Sequence, residues 1–270
     1  MENGVCAIPF STVRLVMRPF RLIARLDVKG PNVVKGVQLE GLRKIGNPNI
    51  LAQRYYVDGI DEILYMDIVA SLYERNNLLD IVKETTKDVF IPVTVGGGVR
   101  TLSDAAALLR AGADKIAVNT AALKRPEILH EISDAFGAQC VVLSIEAKRE
   151  SNSNWTAYYD NGREKSGKNV LEWAQQACSL GVGEILLTSV DQEGTAKGFD
   201  LKLVQAVTAA VSVPVIACGG MGNMVHLTDL IEKTHPDAVA MAHVLHYEKL
   251  TISSIRKHLS GQKVPVREIF

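Results

Sequence analysis

Two glycine-rich segments of the sequence have the composition of phosphate-binding turns. Glycines 96–98 follow the apolar run VTV, and glycines 219–220 follow the apolar run VIAC. Glycine lets backbone N–H groups approach an anion closely, and a helix that begins directly afterwards favours negative charge at its N-terminus. The sequence therefore predicts two anion sites, while tight turns without any ligand remain the alternative explanation of both segments.

Polar residues that follow two other apolar runs could complete these sites. Asn119 and Thr120 come after KIAV, and Glu193, Gly194 and Thr195 come shortly after ILLTSV. Two anion sites on opposite sides of one opening would hold a small molecule that is phosphorylated at both ends.

A pair of carboxylates could supply acid–base chemistry. Asp27 lies in LDVKG and Glu146 lies in IEAKR, each at the end of an apolar run. Two carboxylates that face each other can divide the roles of general acid and general base. Two other interpretations stay open: such carboxylates also cap neighbouring backbone, and Lys29 and Lys148, two residues further on, could form salt bridges with them.

Charged residues also stand at the starts of four apolar runs. Two basic and two acidic groups at these positions could close a ring at the opposite ends of the same strands. Position alone favours a role in stability, because the N-terminal face of a barrel of parallel strands usually serves stability. The four residues are Arg21, Glu62, Lys115 and Glu184.

The elements that must position these residues form eight short apolar runs, each followed by a longer amphipathic stretch. Continuously apolar runs are typical of parallel strands that are covered on both faces. Two of the helices are predicted at residues 103–111, with Ser103 as the N-cap, and at residues 169–180. Eight such units in about 250 residues predict a (β/α)₈ TIM barrel, with a doubly wound open sheet as the alternative. The predicted strands are residues 21–27, 62–67, 90–96, 114–119, 140–146, 184–189, 213–218 and 237–242.

An internal repeat supports the barrel. The segments DEILYMD and GEILLTSVD align at an interval of 122 residues, and VTVGGG and VIACGG align at the same interval. LDVKG and IEAKR align at an interval of 119 residues. Three ordered matches at nearly one interval predict a barrel built from two duplicated half-barrels.

The composition argues against several other classes of protein. Lys plus Arg and Asp plus Glu number 30 each, so the net charge does not favour nucleic-acid binding, and the apolar runs are too short to cross a bilayer. The cysteines have no metal-binding spacing, and we predict neither a metal nor a cofactor. Buried reduced thiols and the lack of a secretion signal predict a cytoplasmic enzyme. Residues 1–16 are predicted to be a poorly ordered N-terminal extension, and residues 17–270 a single barrel.

Six segments together resemble the cyclase (HisF) subunit family of imidazole glycerol phosphate synthase, over nearly the whole chain. They are LDVKGPNVVKG, DIVAS, TVGGGVR, GADKIAVNTAA, GEILLTSVDQEGT and ACGG. The resemblance implies a barrel of two half-barrels, in agreement with the repeat. It also implies a HisH-type glutaminase subunit, which forms a heterodimer with the barrel, docks on its N-terminal face and sends ammonia through it to a substrate carrying two phosphates.

The resemblance implies roles for individual residues. Asp27 and Glu146 occupy the two catalytic positions. The four charges at strand starts match a gate at the ammonia entrance, and this replaces the interpretation as a stability feature. The gate is Arg21, Glu62, Lys115 and Glu184; the phosphate positions are Gly98, Asn119 and Thr120 at one site, and Glu193, Gly194, Cys218, Gly220, Ala242 and His243 at the other.

Four of these positions depart from the family pattern. Glu146 and Glu193 replace aspartates, and the added methylene of Glu146 moves its carboxylate by about an ångström, a displacement that can cost about 10²-fold in rate. Cys218 and His243 replace serines, which removes two hydroxyl donors to phosphate, although His243 could supply a charged donor instead. The positions that conduct ammonia therefore match the family better than the positions that read the substrate.

Three functions fit the sequence to different degrees. The first is the histidine-pathway cyclase, which forms imidazole glycerol phosphate and aminoimidazole carboxamide ribotide from a bisphosphorylated formimino precursor. The second is a HisF-like paralogue that channels ammonia for the amidation of a nucleotide-linked sugar in surface-polysaccharide biosynthesis. The third, a related isomerase, needs two facing aspartates and no ammonia, so the matched gate argues against it. The breadth of the motif match favours the first.

Overall fold

The computed structural model describes residues 19–70 and 78–268, and within these residues twelve strands form one continuous sheet. Eight of the strands are parallel, and each pairs with two parallel neighbours, so that the ring closes without an edge. The (β/α)₈ barrel is thus confirmed, and the open-sheet alternative is wrong. In ring order the strands are β1 (Arg21–Lys29), β4 (Glu62–Asp67), β5 (Val93–Gly96), β6 (Lys115–Val118), β7 (Val141–Ser151), β10 (Glu184–Ser189), β11 (Val215–Cys218) and β12 (Ala238–Met241).

Two antiparallel hairpins that the sequence analysis missed extend the barrel at its mouth. The first, β2 (Asn32–Val37) and β3 (Glu40–Gly46), follows β1 and pairs with it. The second, β8 (Asn154–Tyr159) and β9 (Glu164–Asn169), follows β7 and pairs with it. Each half of the repeat therefore has the same plan, because the hairpin follows the first strand of each half-barrel.

Helices follow the strands around the outside of the barrel. Some begin at side-chain caps. Asn47 accepts hydrogen bonds from two backbone amides of α1 (Pro48–Val57), and Asn169 does the same for α6 (Val170–Ser179). The helices are α1 (Pro48–Val57), α2 (Leu78–Thr85), α3 (Leu102–Arg110), α4 (Thr120–Lys124), α5 (Glu127–Phe136), α6 (Val170–Ser179), α7 (Leu201–Ala210), α8 (Met224–Thr234), α9 (His243–His246) and α10 (Ile252–Gly261), with a 3₁₀ turn at Ala138–Cys140.

Several predicted boundaries require correction. The predicted N-cap Ser103 lies inside α3, because Thr101 and Asp104 form a reciprocal capping box that starts the helix two residues earlier. Strands β5 and β11 start later than predicted. Pro92 and Pro214 directly precede them, and proline has no N–H group to donate to the sheet.

Side chains of each strand point alternately to its two faces, so the barrel has two separate apolar cores. Leu22, Ala24 and Leu26 of β1 point outward and pack with the helices, whereas Ile23 points into the barrel. Strand β1 is buried along nearly its whole length, as expected when helices cover one face and the barrel interior covers the other. The predicted extension, residues 1–16, lies outside the described residues. No helix in the described ranges is both long enough and apolar enough to cross a membrane.

Candidate functional site

A closed ring of ion pairs lies at the N-terminal end of the barrel. Arg21 donates to Glu62 at 2.7 Å and also bonds Glu184, while Lys115 lies 3.1 Å from Glu62 and 2.9 Å from Glu184. Each carboxylate thus binds both cations, and the two carboxylates are almost fully buried. The four residues predicted from strand starts form the ring that their positions suggested.

Above this ring the inward-facing side chains are mostly apolar up to the level of a single arginine, with Thr94 of β5 as a buried polar exception. Arg25 lies two residues after Ile23 on β1, so its side chain points to the same inward face. It is only 2% exposed. Its Nε donates to Asp27 at 2.8 Å, and its Nη1 lies 2.9 Å from Thr188 Oγ1 and 3.3 Å from Cys218 Sγ. The apolar layer consists of Ile23, Leu64, Ala117, Val142, Leu186, Ile216 and Ala238.

Asp27 is buried and surrounded by cations. Besides Arg25, Lys35 of the first hairpin lies 3.9 Å from Asp27 and bonds the carboxylate of Glu193. Burial alone would raise the pKa of Asp27, but the charges of Arg25 and Lys35 outweigh this effect and hold the pKa below its ordinary value. Asp27 is therefore ionised at neutral pH.

Glu146 has the opposite environment. Strand β7 lies four strands from β1 around the ring, so Glu146 faces Asp27 across the mouth. Its Oε2 accepts a hydrogen bond from the Gly162 amide at 2.7 Å. Burial raises the pKa of Glu146 to about 7, although the Gly162 N–H and the Arg25 charge favour the ionised form. At neutral pH this carboxyl group is therefore present in both its protonated and its ionised form.

A cavity of about 390 Å³ opens at the mouth on the side of the first glycine segment. Two buried oxygens on its wall, Asp67 Oδ2 and Asn119 Oδ1, have no hydrogen-bond partner among the described residues. Buried polar atoms are nearly always satisfied, so these two favour a polar ligand or water in the cavity. Its lining includes the predicted residues Gly98, Asn119 and Thr120, the carboxylate of Glu146, and the cations Arg25, Arg100, Lys124 and Arg125.

The second predicted phosphate site is a much smaller cavity. It measures about 20 Å³, little more than the space of one water molecule. Burial and nearby Lys35 and Lys249 lower the pKa of His243, so its environment disfavours the charged donor that the sequence suggested. All six predicted residues line this cavity: Glu193, Gly194, Cys218, Gly220, Ala242 and His243.

Backbone packing accounts for part of the glycine requirement at both segments. Gly97 and Gly220 have positive φ values of 94° and 108°. A Cβ atom would lie 2.3 Å from the Asp67 carbonyl oxygen at Gly97 and 2.0 Å from the Gly198 carbonyl oxygen at Gly220. The tight-turn explanation therefore holds at these two positions, whatever ligand the turns bind.

The two hairpins reach across the mouth. The backbone amide of Gln38, at the tip of the first hairpin, donates to the Glu193 carbonyl at 2.7 Å. Asn119 donates to the Tyr158 carbonyl of the second hairpin at 3.1 Å. Each hairpin thus contacts the glycine site of the opposite half-barrel, and the second also holds Glu146 through Gly162.

The salt bridges that remained an alternative for Lys29 and Lys148 are not formed with Asp27 and Glu146. The Lys148 ammonium lies over the Tyr158 ring at 4.7 Å, and the partners of Asp27 within the described chain are Arg25 and Lys35. Sequence reasoning missed both partners. One available signal was the charge of Arg25 inside an otherwise apolar strand, because a cation at such a position needs a buried partner.

No three His, Cys, Asp or Glu side chains within residues 19–70 and 78–268 converge on a point where they could hold a metal ion.

Comparisons with known proteins identify several relatives. The sequence model of a family described as "Histidine biosynthesis protein" matches residues 21–251. The chain is 62% identical over 208 residues to imidazole glycerol phosphate synthase subunit HisF of Legionella pneumophila, which covers 77% of this chain and 98% of that relative. It is 44% identical over 247 residues to the HisF subunit of Streptococcus sanguinis (strain SK36), which covers 92% of this chain and 98% of that relative.

Proposed function

Because the chain belongs to the HisF family of imidazole glycerol phosphate synthase subunits, we propose that it is the cyclase subunit of that synthase. In this function ammonia reacts with a bisphosphorylated formimino precursor, and the products are imidazole glycerol phosphate and aminoimidazole carboxamide ribotide. Comparison with the named relatives favours this function over ammonia channelling for sugar amidation. The ion-pair ring argues against an isomerase, which has no use for an ammonia entrance.

The opposite proton affinities of Asp27 and Glu146 are the observation that carries the proposal. Asp27 is held ionised by Arg25 and Lys35, so it suits the role of general base. Glu146, with a pKa raised to about 7 by burial, suits the role of general acid at neutral pH. Two facing carboxyl groups whose environments separate their pKa values can divide acid and base steps in one reaction.

The two glycine sites supply the anchors for the phosphates. Gly98, Asn119 and Thr120 line the open cavity, where Arg100 and Lys124 add positive charge. The smaller cavity at Gly194 and Gly220 would enclose the second phosphate only after its walls move apart, because 20 Å³ is too small to hold that group within it. We therefore propose that the first phosphate docks at the open site and that the second site opens as the substrate enters.

The direct test is cyclisation from ammonium, which bypasses the glutaminase partner and the ring. The purified chain is supplied with the bisphosphate precursor and an ammonium salt, and both products are quantified by chromatography. The Legionella pneumophila HisF subunit, assayed in parallel, is the positive control. Formation of both products in equal amounts supports the proposal. No turnover by this chain, under conditions in which the control is active, would refute it.

We further propose that a HisH-type glutaminase docks on the N-terminal face and delivers ammonia through the ring. The name "subunit" of the relatives implies a larger synthase. The same end of the barrel exposes two large apolar side chains: Val57 at the end of α1 is 77% exposed, and Phe90 before β5 is 75% exposed. Exposed apolar residues beside a charged cluster are typical of a protein interface.

Helix α1 offers a matched pair of variants to test this docking surface. Val57 and Ile50 are both exposed, but they lie at opposite ends of the helix. Val57→Asp should weaken glutaminase binding at least tenfold, whereas Ile50→Asp, at the mouth end, should leave it unchanged. Size-exclusion chromatography of the co-expressed pair, with titration calorimetry, measures both. Equal affinity for the two variants would place the partner elsewhere.

Two predictions from the sequence stay predictions. They are the cytoplasmic location and the division into an extension over residues 1–16 and a single barrel over residues 17–270.

A further inference from the structure

Arg25 is a fully charged group inside the barrel. Its strand neighbours on the inward face are Ile23 below and Asp27 above. Its side chain is 2% exposed, and the guanidinium group keeps its proton in proteins. Burying such a charge is unfavourable unless it is paired, so its position needs a reason.

The side chain of Arg25 extends across the interior of the barrel and does not follow the wall. It starts on β1 and contacts Thr188 on β10 and Cys218 on β11. Strand β12 lies between β1 and β11 in the ring, so the guanidinium bridges strands that are not adjacent. Ala240, the inward residue of β12 that pairs with Cys218, is small enough to leave room for this path.

Arg25 also marks the boundary between two environments. Below it lie the apolar layer and the ion-pair ring of Arg21, Glu62, Lys115 and Glu184. Above it lie Asp27 and the open cavity, whose lining includes both Arg25 and Glu146. A small molecule that moves from the ring to the mouth through the barrel therefore has to pass the guanidinium group.

We propose that Arg25 is a positioning residue that orients the Asp27 carboxylate and forms a cationic barrier in the barrel, which ammonia passes and ammonium does not. This inference rests on the proposed function for the identity of the molecule that passes. The physical basis is repulsion between ammonium and the guanidinium group, which does not act on a neutral molecule. Asp27 offsets part of this repulsion, but Arg25 lies on the ring side of that carboxylate and is met first. Because arginine stays protonated, the barrier does not change with pH.

The first half of the proposal is tested on the ionisation of Asp27. Removing the Arg25 charge leaves burial, which raises the pKa, and Lys35 with a smaller contribution from His246 to oppose it. The carboxyl group should then titrate at higher pH in Arg25→Met than in the wild type, and Arg25→Lys should restore part of the difference. Other ionisable groups that face this carboxylate are Glu146, Cys218 and His246. Burial lowers the pKa of His246 to about 4.

Carbon-13 NMR of aspartate-labelled protein measures this titration, and the Asp27→Asn spectrum identifies the signal. An unchanged titration in Arg25→Met would overturn the positioning role. Arg25→Gln provides a second uncharged variant in case Arg25→Met does not fold. Neither measurement depends on turnover, so a chain that fails the cyclisation assay can still pass or fail this test.

The second half is tested with rubidium, a cation of similar size to ammonium that is visible by its anomalous scattering. Crystals of the wild type and of Arg25→Met are soaked in rubidium chloride. We expect no rubidium inside the wild-type barrel, and a peak beside Asp27 and Thr188 in the variant, where the guanidinium is gone. Rubidium inside the wild-type barrel at this level, or none in the variant, would overturn the barrier.

Turnover links both halves to the reaction. In ammonium-supported cyclisation, Arg25→Met should lower kcat at least tenfold while KM for the bisphosphate stays within about threefold. A purely structural role would predict equal loss for Arg25→Lys. Partial recovery of kcat in Arg25→Lys, together with an acidic limb of the pH profile that moves to higher pH in Arg25→Met, supports the positioning role. An acidic limb that stays at the wild-type pH in Arg25→Met contradicts it.

Discussion

The two half-barrels share one plan, yet their functional ends differ. In the first half the strand-end carboxylate, Asp27, is enclosed by cations, while the neighbouring glycine turn opens into a cavity of about 390 Å³. In the second half the carboxylate, Glu146, lies on the wall of that cavity, while the glycine turn encloses about 20 Å³. Duplication thus preserved the scaffold, and the neighbours of each site diverged.

This difference shows that equivalent positions acquire separate roles through the charges that surround them. Arg25 and Lys35 both come from the first half-barrel, and both stabilise the ionised form of Asp27. Glu146 has a backbone amide of the second hairpin as its hydrogen-bond partner and retains a high proton affinity. A symmetric pair of carboxylates would titrate alike, whereas this pair is already divided into a base and an acid.

The largest expected effect comes from removing either carboxylate. Asp27→Asn and Glu146→Gln should each lower ammonium-supported turnover at least a hundredfold, since each removes a proton-transfer group while keeping size. The alkaline limb of the wild-type profile, near pH 7, should be absent from the residual activity of Glu146→Gln, because Glu146 acts in its protonated form. Asp229→Asn, which removes only an ion pair with Lys233 on the outer helix α8, is the control. Activity retained in either variant would show that the carboxylate removed there is not needed for proton transfer.

The next effect is on stability. The folded-state pKa of Glu146 is raised from 4.5 to about 7, so the folded state binds its proton more tightly than the unfolded state does. The corresponding stability is present below the unfolded pKa and is lost as pH rises through about 7. Its size is on the order of 3 kcal/mol. The charged groups that act on Glu146 are Arg25, Asp27 and Asp160.

Urea unfolding at a series of pH values measures this dependence, with Glu146→Gln as the matched variant. The difference in unfolding free energy between wild type and variant should fall as pH rises from about 4.5 to about 7. Asp27→Asn should show the opposite trend relative to wild type, since stability from a lowered pKa is lost as pH falls. A difference that does not vary with pH would contradict the assigned environment of Glu146.

A smaller effect concerns the two glycine sites. Thr120→Val, at the open cavity, should weaken the binding of inorganic phosphate by about tenfold, or ~1.4 kcal/mol. His243→Leu, at the smaller cavity, should leave that affinity unchanged, because on the proposed order of docking phosphate enters there only after the walls separate. Titration calorimetry gives the affinities, and phosphate-soaked crystals show which site fills first. Phosphate at the second site at the lower concentration would reverse the proposed order of docking.

The smallest effect tests the lysines that repeat with the carboxylates. Lys148→Met should cost about 0.5–1 kcal/mol, the size of an exposed contact between an ammonium group and an aromatic ring. Lys29→Met should change the unfolding free energy by less than about 0.5 kcal/mol, as expected of an exposed side chain. Urea unfolding measures both changes in unfolding free energy, provided that the slope of free energy against urea concentration is the same in wild type and variants. A loss of several kcal/mol in either variant would point back to a salt bridge with the neighbouring carboxylate.

The two hairpins mark the limit of what sequence patterns could predict about the fold. Barrel strands are buried on both faces and appear as apolar runs, so their order and most of their bounds were predictable. The outer strands of the hairpins, β3 and β9, are polar and largely exposed, while the inner strands, β2 and β8, are short and lack clear alternation. One signal was available: the segment Asp160–Asn161–Gly162 has the composition of a tight hairpin turn, and all three residues adopt positive φ.

The sequence by itself determined the scaffold and the inventory of functional groups. The apolar periodicity, the repeat and the residues at strand ends were sufficient for the barrel, the duplication and the position of the ring of Arg21, Glu62, Lys115 and Glu184. The physical reason is that a parallel strand points alternate residues inward, so the position of a residue along the strand decides its height and its direction.

Only the tertiary structure decided what each group can do. The proton affinity of Asp27 depends on Arg25 and Lys35, and that of Glu146 depends on burial and on Gly162 of the second hairpin. The volumes of the two glycine sites depend on hairpins that cross from the opposite half-barrel. Desolvation, charge interaction and free volume are sums over groups that come from different parts of the chain, and no local pattern of residues records those sums.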